Sequence, residues 1–472
     1  MKSKASKSLE GPIFQSLITL AIPIVLANIL QTAYQLTDAF WVGRLGGAAV
    51  AAVSVSFPVV FLLISLGAGF AIAGSTLVAQ YFGAQNHKMV NHVAAQTLLM
   101  VAFSSVVLGV IGYLIAPGIL RLMNVEPVVF VSALGFMRVS FLGIVFIFGF
   151  AMFQSVMRGI GEVTMPMYIV LATVLLNFVL DPLFIFGWGS VPGYGVMGAA
   201  MATFGTQALA AAVGFMLLLT GKYGIHLKLS DFKPDYKFIK KAFFLGFPSS
   251  IEQSARALGL MVMTFLIASF GTLTMAAYGV GANILQLVII PGMGLSMAIS
   301  VLVGQNIGAG NIRRASDIAR FGSVFAFASL TIIGLVAFIF ARQLITFFVP
   351  GDEMVIQTGT AFVRIMALSF GFMGVHLALM GVFRASGNML ATMIISLVSQ
   401  WVLQFPAAYL FSKHTSLGVS GLWWSFPVSN VLIAFITVAW YAKGDWKKKK
   451  LTTEDRLVEK VSEEIIIEEG IR

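Results

Sequence analysis

The sequence predicts an all-α polytopic membrane protein with twelve transmembrane helices, arranged as two parallel six-helix repeats around a central cleft. Three observations predict this fold class: the composition, the spacing of the apolar runs and an internal duplication. Of the 472 residues, 58% are hydrophobic and only 10% are charged, and the mean hydropathy is +0.94. Too little polar surface exists to cover this apolar bulk in water, so we expect the lipid bilayer to surround the chain.

Apolar runs mark the individual helices. A helix that spans a bilayer needs roughly 20 apolar residues, so this length accommodates about twelve helices with their connections. The runs are separated by Gly, Pro, Asn or charged clusters. In chain order the predicted spans are residues 14 to 41, 48 to 78, 92 to 115, 130 to 156, 164 to 188, 196 to 219, 240 to 268, 274 to 303, 317 to 340, 358 to 382, 390 to 411 and 419 to 441.

The basic residues indicate the orientation of these spans. Most of the 30 Lys and Arg residues fall in the connections on the side of the N-terminus, beginning with Lys2. The opposite connections hold only Arg44, Arg121, Arg342 and Lys413. The positive-inside rule therefore predicts cytoplasmic termini in the plasma or inner membrane. Because this topology explains the formal net charge of +11, we expect no nucleic-acid partner.

Missing motifs exclude several classes of function. The chain has no cysteine, which excludes thiol catalysis, disulfides and Cys-ligated metals. Neither His-Glu-x-x-His nor a His-rich cluster occurs among its five histidines, so a membrane enzyme is not expected. The phosphate-binding pattern Gly-x-x-x-x-Gly-Lys-Ser/Thr is absent, which argues against an ATP-driven pump. No cofactor is expected.

The chain is a tandem duplication. A shift of 225 residues places Leu20-Ala-Ile-Pro23 on Leu245-Gly-Phe-Pro248, and Val78-Ala-Gln80-Tyr-Phe-Gly83 on Val303-Gly-Gln305-Asn-Ile-Gly308. Later matches are Arg158-Gly-Ile-Gly161 with Arg384-Ala-Ser-Gly387 and Gly195-Val-Met-Gly198 with Gly418-Val-Ser-Gly421. Because each copy holds six spans, an even number, both copies enter the membrane from the same side. Transporters use such parallel repeats for alternating access around a central cleft.

The duplication divides the chain into two lobes. We expect an N-terminal six-helix lobe at 1–220, a cytoplasmic linker at 221–241, a C-terminal six-helix lobe at 242–442 and a charged cytoplasmic tail at 443–472. The tail runs from the basic Lys447 to Lys450 into the acidic stretch Glu454 to Glu469. This charge pattern is typical of a solvated helix or frayed end, and the alternative is a segment that binds a partner.

Carboxylates within predicted spans are the first candidates for function. A carboxylate in a membrane helix costs at least about 2.5 to 3.5 kcal/mol, so it usually serves an ion or proton pathway. Asp38 and Asp181 are such residues, and Asn177 shares a helix face with Asp181. Together they can hold a proton or provide oxygen ligands for Na⁺. The alternative is that Asp38 caps a helix end and Asp181 supports a local kink.

Glu252 is a third carboxylate within a span, with a structural alternative. It lies four residues before Arg256, so an ion pair along the helix explains it without a role in transport. We therefore treat it as an accessory candidate. Pro23 and Pro182 weaken or bend their helices, and a bend at Pro23 would move the segment that carries Asp38.

Polar and aromatic residues on several spans are candidates for a substrate cavity. Apolar contact and cation–π attraction would suit aromatic or cationic compounds. Most of the 41 Phe and 23 Met residues face lipid or the core, so only a few positions are singled out. They are Phe136, Gln154, Gln207, Tyr278, Asn283 and Gln286.

The chain resembles the multidrug and toxic compound extrusion (MATE) family over about residues 12 to 440. The resemblance rests on the two six-helix units, the Gln80 and Gln305 repeats and the Arg158-Gly-x-Gly161 turn. More closely, Gln31-Thr-x-Tyr34-x-x-x-Asp38 and Asn177-x-x-x-Asp181-Pro182 resemble the prokaryotic branch named for the DNA-damage-inducible F protein.

This resemblance implies a function. A secondary antiporter of this family exports bulky, often cationic amphiphiles in exchange for H⁺ or Na⁺, and we expect it to be a monomer. The rival within transporters is a flippase or exporter of lipid-linked or polysaccharide precursors. Those proteins usually carry a more basic cavity, for which Arg256 is the single mid-repeat candidate here.

The chain departs from the branch at three positions. Phe136 and Gln154 stand where the branch often has Tyr and Asn, and Ala199 stands where it has Thr. We therefore expect a thinner hydrogen-bond network around the acids. Under the repeat offset Asp38 falls opposite Met263, and Asp181 falls near Phe405 or Pro406. Ion coupling is thus predicted for the first half alone.

Overall fold

The structure is a computed structural model that describes residues 9–189 and 191–452. Lys2 and the acidic stretch Glu454 to Glu469 lie outside the described residues. The first half of the described chain consists of six long helices and a small hairpin. These elements are α1 (Ile13–Gly43), α2 (Gly47–Gly83), α3 (His87–Leu122), α4 (Pro127–Gly159), α5 (Thr164–Phe186), the antiparallel strands β1 (Gly187–Trp188) and β2 (Val191–Pro192), and α6 (Val196–Thr220).

The second half repeats this order with three irregular spans. Its helices are α7 (Tyr236–Ala268), α8 (Thr272–Gly308), α9 (Ile312–Ile339), α10 (Ala341–Phe348), α11 (Glu353–Ala367), α12 (Phe370–Ala385), α13 (Met389–Leu397), α14 (Phe405–Lys413) and α15 (Val419–Ala442). A π-helical segment, Val398–Gln404, joins α13 to α14, and a 3₁₀ turn, Leu229–Phe232, precedes α7.

The prediction of twelve spans is confirmed at the level of the fold. Among the described residues, 11 helices are long and apolar enough to cross a bilayer, and 12 when the bent pair α11 and α12 counts as one span. The span predicted at 358 to 382 is a bent one, because the chain turns by 53° between α11 and α12. Helix α7 begins at Tyr236, so the last six residues of the predicted linker 221–241 are helical.

The two halves meet through reciprocal contacts at equivalent positions of the repeat. Gln80 Nε2 donates to the carbonyl oxygen of Ala385 at 2.8 Å, and Gln305 Nε2 donates to that of Gly159 at 2.9 Å. These contacts lie where α2, α4, α8 and α12 end, on the side where α1 begins and α15 ends. We call this side the terminal side. The exchange of equivalent bonds is the mark of an approximate two-fold axis between the repeats.

Glycine makes this junction possible. A Cβ atom on Gly83 would overlap the carbonyl oxygen of Gln305, and one on Gly308 would overlap that of Gln80. Helices α2 and α8 therefore cross with their backbones in contact, as small residues allow in membranes. The two repeats also have the same backbone conformation at equivalent turns. Gly46 and its repeat partner Gly271 have φ of 102° and 94°, which favour glycine.

The start of the charged tail packs against the terminal side. Trp446 is fully buried and stacks on Tyr441 with a ring separation of 5.3 Å. The backbone N–H of Leu451 donates to Gln80 Oε1 at 2.9 Å, and Lys449 Nζ donates to Asn388 Oδ1 at 3.2 Å. Within residues 443–452, Trp446 and Thr452 are thus buried, whereas Lys447, Lys448 and Lys449 stay exposed. The signal for this packing in the sequence was a single tryptophan, Trp446, within a run of charged residues.

Candidate functional site

Helices α1 and α5 bring the two predicted acids together through one amide. Asn177 Nδ2 donates to Asp38 Oδ1 at 2.6 Å and to Asp181 Oδ2 at 2.9 Å. Asn177 and Asp181 have no exposed side-chain surface, whereas Asp38 is half-buried. The i, i+4 spacing of Asn177 and Asp181 places both groups on the face of α5 that packs on α1.

Hydroxyl groups complete this network. Tyr34 donates its phenolic hydrogen to Asn177 Oδ1 at 2.7 Å and lies 2.5 Å from Thr206 Oγ1. Thr203 Oγ1 donates to Asp38 Oδ2 at 3.3 Å. The expectation of a thinner network around the acids than in the related branch stays a prediction; α6 supplies hydroxyls four and seven residues after Ala199. Ala199 lies buried on the same helical face, and this i, i+4, i+7 spacing could have identified both threonines.

The acid site carries no basic partner in the part of the chain that the structure describes. No ion pair within 4.0 Å joins Asp38 or Asp181 to a Lys, Arg or His side chain there. Asp181 Oδ1 is buried without a hydrogen-bond partner. Two unpaired negative charges are costly inside a membrane, and binding a proton or a cation lowers that cost. Asp38 lies five residues before the end of α1 at Gly43, so it does not cap that helix.

The orientation of the Asn177 amide determines which polar atom faces the gap between the two acids. Its nitrogen lies between the two acids and its oxygen accepts from Tyr34, an assignment that follows from the hydrogen-bond network. The Asn177 amide therefore directs a hydrogen-bond donor into the gap between the acids. A Na⁺ ion in that gap would need an oxygen ligand instead. Within the described residues no group of three or more His, Asp or Glu side chains could hold a metal ion.

The remaining candidates on the first half are dispersed. Gln31 is exposed on α1, one turn before the buried Tyr34. Phe136 and Gln154 are half-buried on α4, and Gln207 is buried on α6, next to Thr206. No hydrogen bond joins Gln31, Gln154 or Gln207 to the acid site in the described structure. Their assignment to a substrate cavity stays a prediction.

The candidates on α8 fall into two environments. Asn283 and Gln286 are exposed on one face, which they share with Gly279. Tyr278 packs within the second half itself. Its ring stacks on Trp423 with a centroid separation of 6.4 Å and an interplanar angle of 6°. It also contacts Phe362 at 5.7 Å. The structure therefore does not bring Tyr278 together with Asn283 and Gln286.

The prolines lie inside continuous helices. Pro23 is within α1, fifteen residues before Asp38, and Pro182 is within the last turn and a half of α5, directly after Asp181. Neither proline ends its helix. A conformational role for Pro23 and Pro182 stays a prediction.

Glu252 has the ion pair predicted along its helix and a second one that the sequence did not indicate. Arg256 Nη2 lies 3.5 Å from Glu252 Oε1, and Arg384 Nη2 lies 2.5 Å from the same oxygen. Glu252 itself is fully buried. Arg384 comes from α12, far along the chain, so spacing alone could not identify it. This doubly paired carboxylate differs from the unpaired acids of the first half.

Comparison with known proteins agrees with this architecture. The family model MatE matches residues 23–183 and 248–410, one segment in each half. The chain is 30% identical to the "Probable multidrug resistance protein YpnP" of Bacillus subtilis over 457 residues, which are 96% of this chain and 100% of that protein. It is 27% identical to the "Probable multidrug resistance protein NorM" of Thermotoga maritima, covering 94% of this chain and 96% of that one.

Solved structures show the same fold. The crystal structure of a MATE protein in complex with MaL6 superposes with a TM-score of 0.85 and 25% sequence identity, covering 94% of this chain and 99% of that chain. The family match covers more than half of the residues and both repeats. The chain therefore belongs to the MATE family, whose members are multi-pass membrane transporters and not enzymes.

Proposed function

We propose that this protein is a secondary antiporter that exports amphiphilic small molecules, cationic drugs among them, in exchange for protons. The observation that carries the proposal is the group of Asp38, Asn177 and Asp181: two carboxyl groups that share one amide donor. The names of the relatives do not favour the alternative of a flippase for lipid-linked precursors. Na⁺ is the second candidate for the coupling ion, and the donor facing the acids makes H⁺ the better fit.

Proton binding would act on the contacts between helices. An ionised Asp38 accepts from Asn177 of α5 and from Thr203 of α6. A protonated carboxyl group has a donor of its own, and the oxygen that holds the proton is a weaker acceptor, so one of these two bonds weakens. We infer that protonation loosens α1 from α5 and α6 and thereby lowers the affinity for the exported compound. The compound would then bind the deprotonated state more tightly than the protonated state, and coupling requires such a difference in binding free energy.

The orientation follows from the distribution of charge. We propose that the terminal side is cytoplasmic and that both termini lie there, in the plasma or inner membrane. The contacts of Gly83 and Gly308 would then close the cytoplasmic side and leave the cleft to face outward. In this proposal the lobes 1–220 and 242–442 move about the linker 221–241. We further propose that the protein acts as a monomer. We also propose that it belongs to the branch named for the DNA-damage-inducible F protein.

Coupling can be tested in liposomes that contain the purified chain. Export of the cationic dye ethidium and the anionic dye fluorescein is followed under a pH gradient alone and under a Na⁺ gradient alone. We expect the pH gradient to drive export, and we expect Asp38→Asn or Asp181→Asn to abolish it, because each amide keeps the shape but cannot exchange a proton.

The matched control is Glu126→Gln, which changes an exposed carboxylate before α4 that makes no cap bond. It should retain the export rate of the unaltered protein. Gradient-driven export that persists at full rate in Asp38→Asn would contradict the proposal. Export driven by the Na⁺ gradient alone would show that the coupling ion is Na⁺ and not H⁺, and the protein would still be an antiporter.

A further inference from the structure

A small cavity lies between the two halves, away from the acid site and close to the contacts on the terminal side. Its volume is about 70 Å³. The first half lines it with Ile72, Ser75 and Arg158, and the second half lines it with Met297, Ser300 and Arg384. Under the repeat alignment these are equivalent pairs: Ile72 with Met297, Ser75 with Ser300, and Arg158 with Arg384. The second half contributes five more lining residues, Gln253, Arg256, Met293, Ser296 and Leu377. The cavity therefore lies beside the approximate two-fold axis, more within the second half than the first, and we call it the axial cavity.

The axial cavity has an excess of positive charge. Arg256 also lines it, so three guanidinium groups face one space. A single carboxylate, that of Glu252, lies beside them, and Arg256 and Arg384 share its Oε1 at 3.5 and 2.5 Å. The formal charge of the group is two positive. The sequence identified Arg256 alone, because Arg158 and Arg384 sit at the ends of α4 and α12 and read as ordinary interfacial residues.

Arg158 is the member of this group without a carboxylate. Its recorded polar contact among the described residues is Nη1 to the sulfur of Met297 at 3.7 Å, and thioether sulfur is a weak acceptor. The side chain is half-buried. Arg384 Nε is buried and has no hydrogen-bond partner. Donors that are removed from water and left unpaired are costly, so an acceptor in the cavity would stabilise this state.

The chemistry of arginine specifies that acceptor. A guanidinium group presents a planar fork of donors that matches a carboxylate or a phosphate. The volume of about 70 Å³ is far below the roughly 300–1,000 Å³ of a pocket for a whole drug-sized molecule. The cavity can thus enclose the charged group of a larger compound, whose apolar part would lie along Met293, Met297 and Leu377.

We propose that the axial cavity binds the carboxylate or phosphate group of an amphiphilic substrate, so that the transported compounds include organic anions. This inference rests on the proposed export function, and it assigns to the cavity a substrate class opposite in charge to the cationic drugs of the resemblance. Arg158 and Arg384 hold the anionic group from the two halves. An anion shared by both halves would also bridge the surfaces that must separate when the protein changes conformation.

Binding of two matched dyes tests this proposal without any ion gradient. Fluorescein is an anion, and a rhodamine ester built on the same ring system is a cation. Each dye is titrated by fluorescence anisotropy against the purified full-length protein in non-ionic detergent. We expect the protein to bind fluorescein, and we expect Arg158→Gln to weaken that binding by about tenfold or more, because a charge-assisted bond is lost. The control Arg364→Gln changes an exposed arginine and should leave binding unchanged.

A second variant keeps the test valid should Arg158→Gln fold poorly. Ser75→Asp adds a built-in carboxylate to the axial cavity and should abolish fluorescein binding while leaving rhodamine binding in place. Fluorescein affinity that is equal in the unaltered protein, Arg158→Gln and Ser75→Asp would overturn the proposal. Rhodamine binding that falls with Arg158→Gln as fluorescein binding does would overturn it as well, since charge would then not matter.

A repeat of the titration in lipid nanodiscs identifies the source of the anionic group. Equal fluorescein affinity in phosphatidylcholine, with and without phosphatidylglycerol, supports a free organic anion. Suppression of fluorescein binding by phosphatidylglycerol supports the same anion site with a lipid phosphate as its occupant. Neither result depends on coupling, so a failed export experiment would overturn the proposed function and leave the anion site to be judged by binding alone.

Discussion

At the scale of single residues, Asn177 holds the first half's polar site together. It donates to both acids and accepts from Tyr34, so its amide group joins helices α1 and α5. In the proposed coupling, the binding of the ion and the packing of α1 on α5 both depend on this side chain. Glu252 is its opposite in kind, a carboxylate whose charge two arginines already balance.

The pairing of Glu252 predicts a large effect on stability. Glu252→Gln leaves Arg384 and Arg256 without their carboxylate in a buried setting, and we expect it to destabilise the fold by about 3–5 kcal/mol. The matched control is Glu353→Gln, which breaks the exposed ion pair with Arg342 at 2.9 Å and should change stability by about 1 kcal/mol or less. Unfolding by SDS in mixed micelles measures both. Equal losses in the two variants would contradict the buried pairing.

At the scale of elements, helices α2 and α8 form the contact that closes the terminal side. Their ends pack backbone to backbone at Gly83 and Gly308, and the side chains of Gln80 and Gln305 reach across to α12 and α4. The repeat conserves both features within one chain. Helix α7 lies against α2 in the same way that α1 lies against α8, as Gly69 at Ser250 and Gly294 at Val25 show.

This crossing predicts a conformational effect of one methyl group. Gly83→Ala places a Cβ on the carbonyl oxygen of Gln305, and overpacking of this kind costs about 1–3 kcal/mol. We expect the closed state to lose population by about fivefold or more, since 1.4 kcal/mol corresponds to a factor of ten. The chain has no native cysteine, so a single Ser75→Cys reports opening through its reaction with an impermeant thiol reagent from the terminal side.

Gly279→Ala is the control for this prediction. It lies on α8 as Gly308 does, and a Cβ at Gly279 meets no atom within 4 Å. Labelling of Ser75→Cys should therefore stay at its original rate in that background. Unchanged labelling in the Gly83→Ala background as well would mean that the crossing does not close the terminal side.

At the scale of the whole molecule, the two halves are alike in backbone and unlike in charge. The glycines at equivalent turns share positive φ, as Gly195 and Gly418 do at 57° and 53°. The acids of α1 and α5 have no counterpart, since Met263 lies in the core of the second half. The arginines, unlike the acids, occur in both halves. Arg158 and Arg384 occupy equivalent positions of the repeat and line the same cavity. Coupling in one half and an anion site between the halves would place the two ligands at separate positions.

The tail contributes to the stability of this assembly. Trp446 has no exposed surface, and its removal in Trp446→Ala is expected to cost about 3–5 kcal/mol of unfolding free energy. Trp188→Ala is the control, because that side chain is 81% exposed. A thermal unfolding curve in detergent compares them. If both variants melt at the temperature of the unaltered protein, residues 443–452 do not stabilise the closed terminal side.

The sequence by itself determined the membrane fold, the duplication and the two acids, since these follow from local properties. Apolar runs, a repeat offset and a carboxylate within a span can each be read from neighbouring residues, as Asp181 and Asn177 illustrate. The partner of Glu252 along α7, Arg256, was predictable for the same reason.

Only the tertiary structure decided which distant residues share a site. Thr203 and Arg384 bond to Asp38 and Glu252 across more than a hundred residues of chain, and no spacing along the sequence places Arg384 at Glu252. The axial cavity exists because equivalent residues of the two copies meet beside an axis, which the offset alone does not reveal. The 53° bend between α11 and α12 and the buried Trp446 likewise depend on packing between elements, where local propensity is overridden.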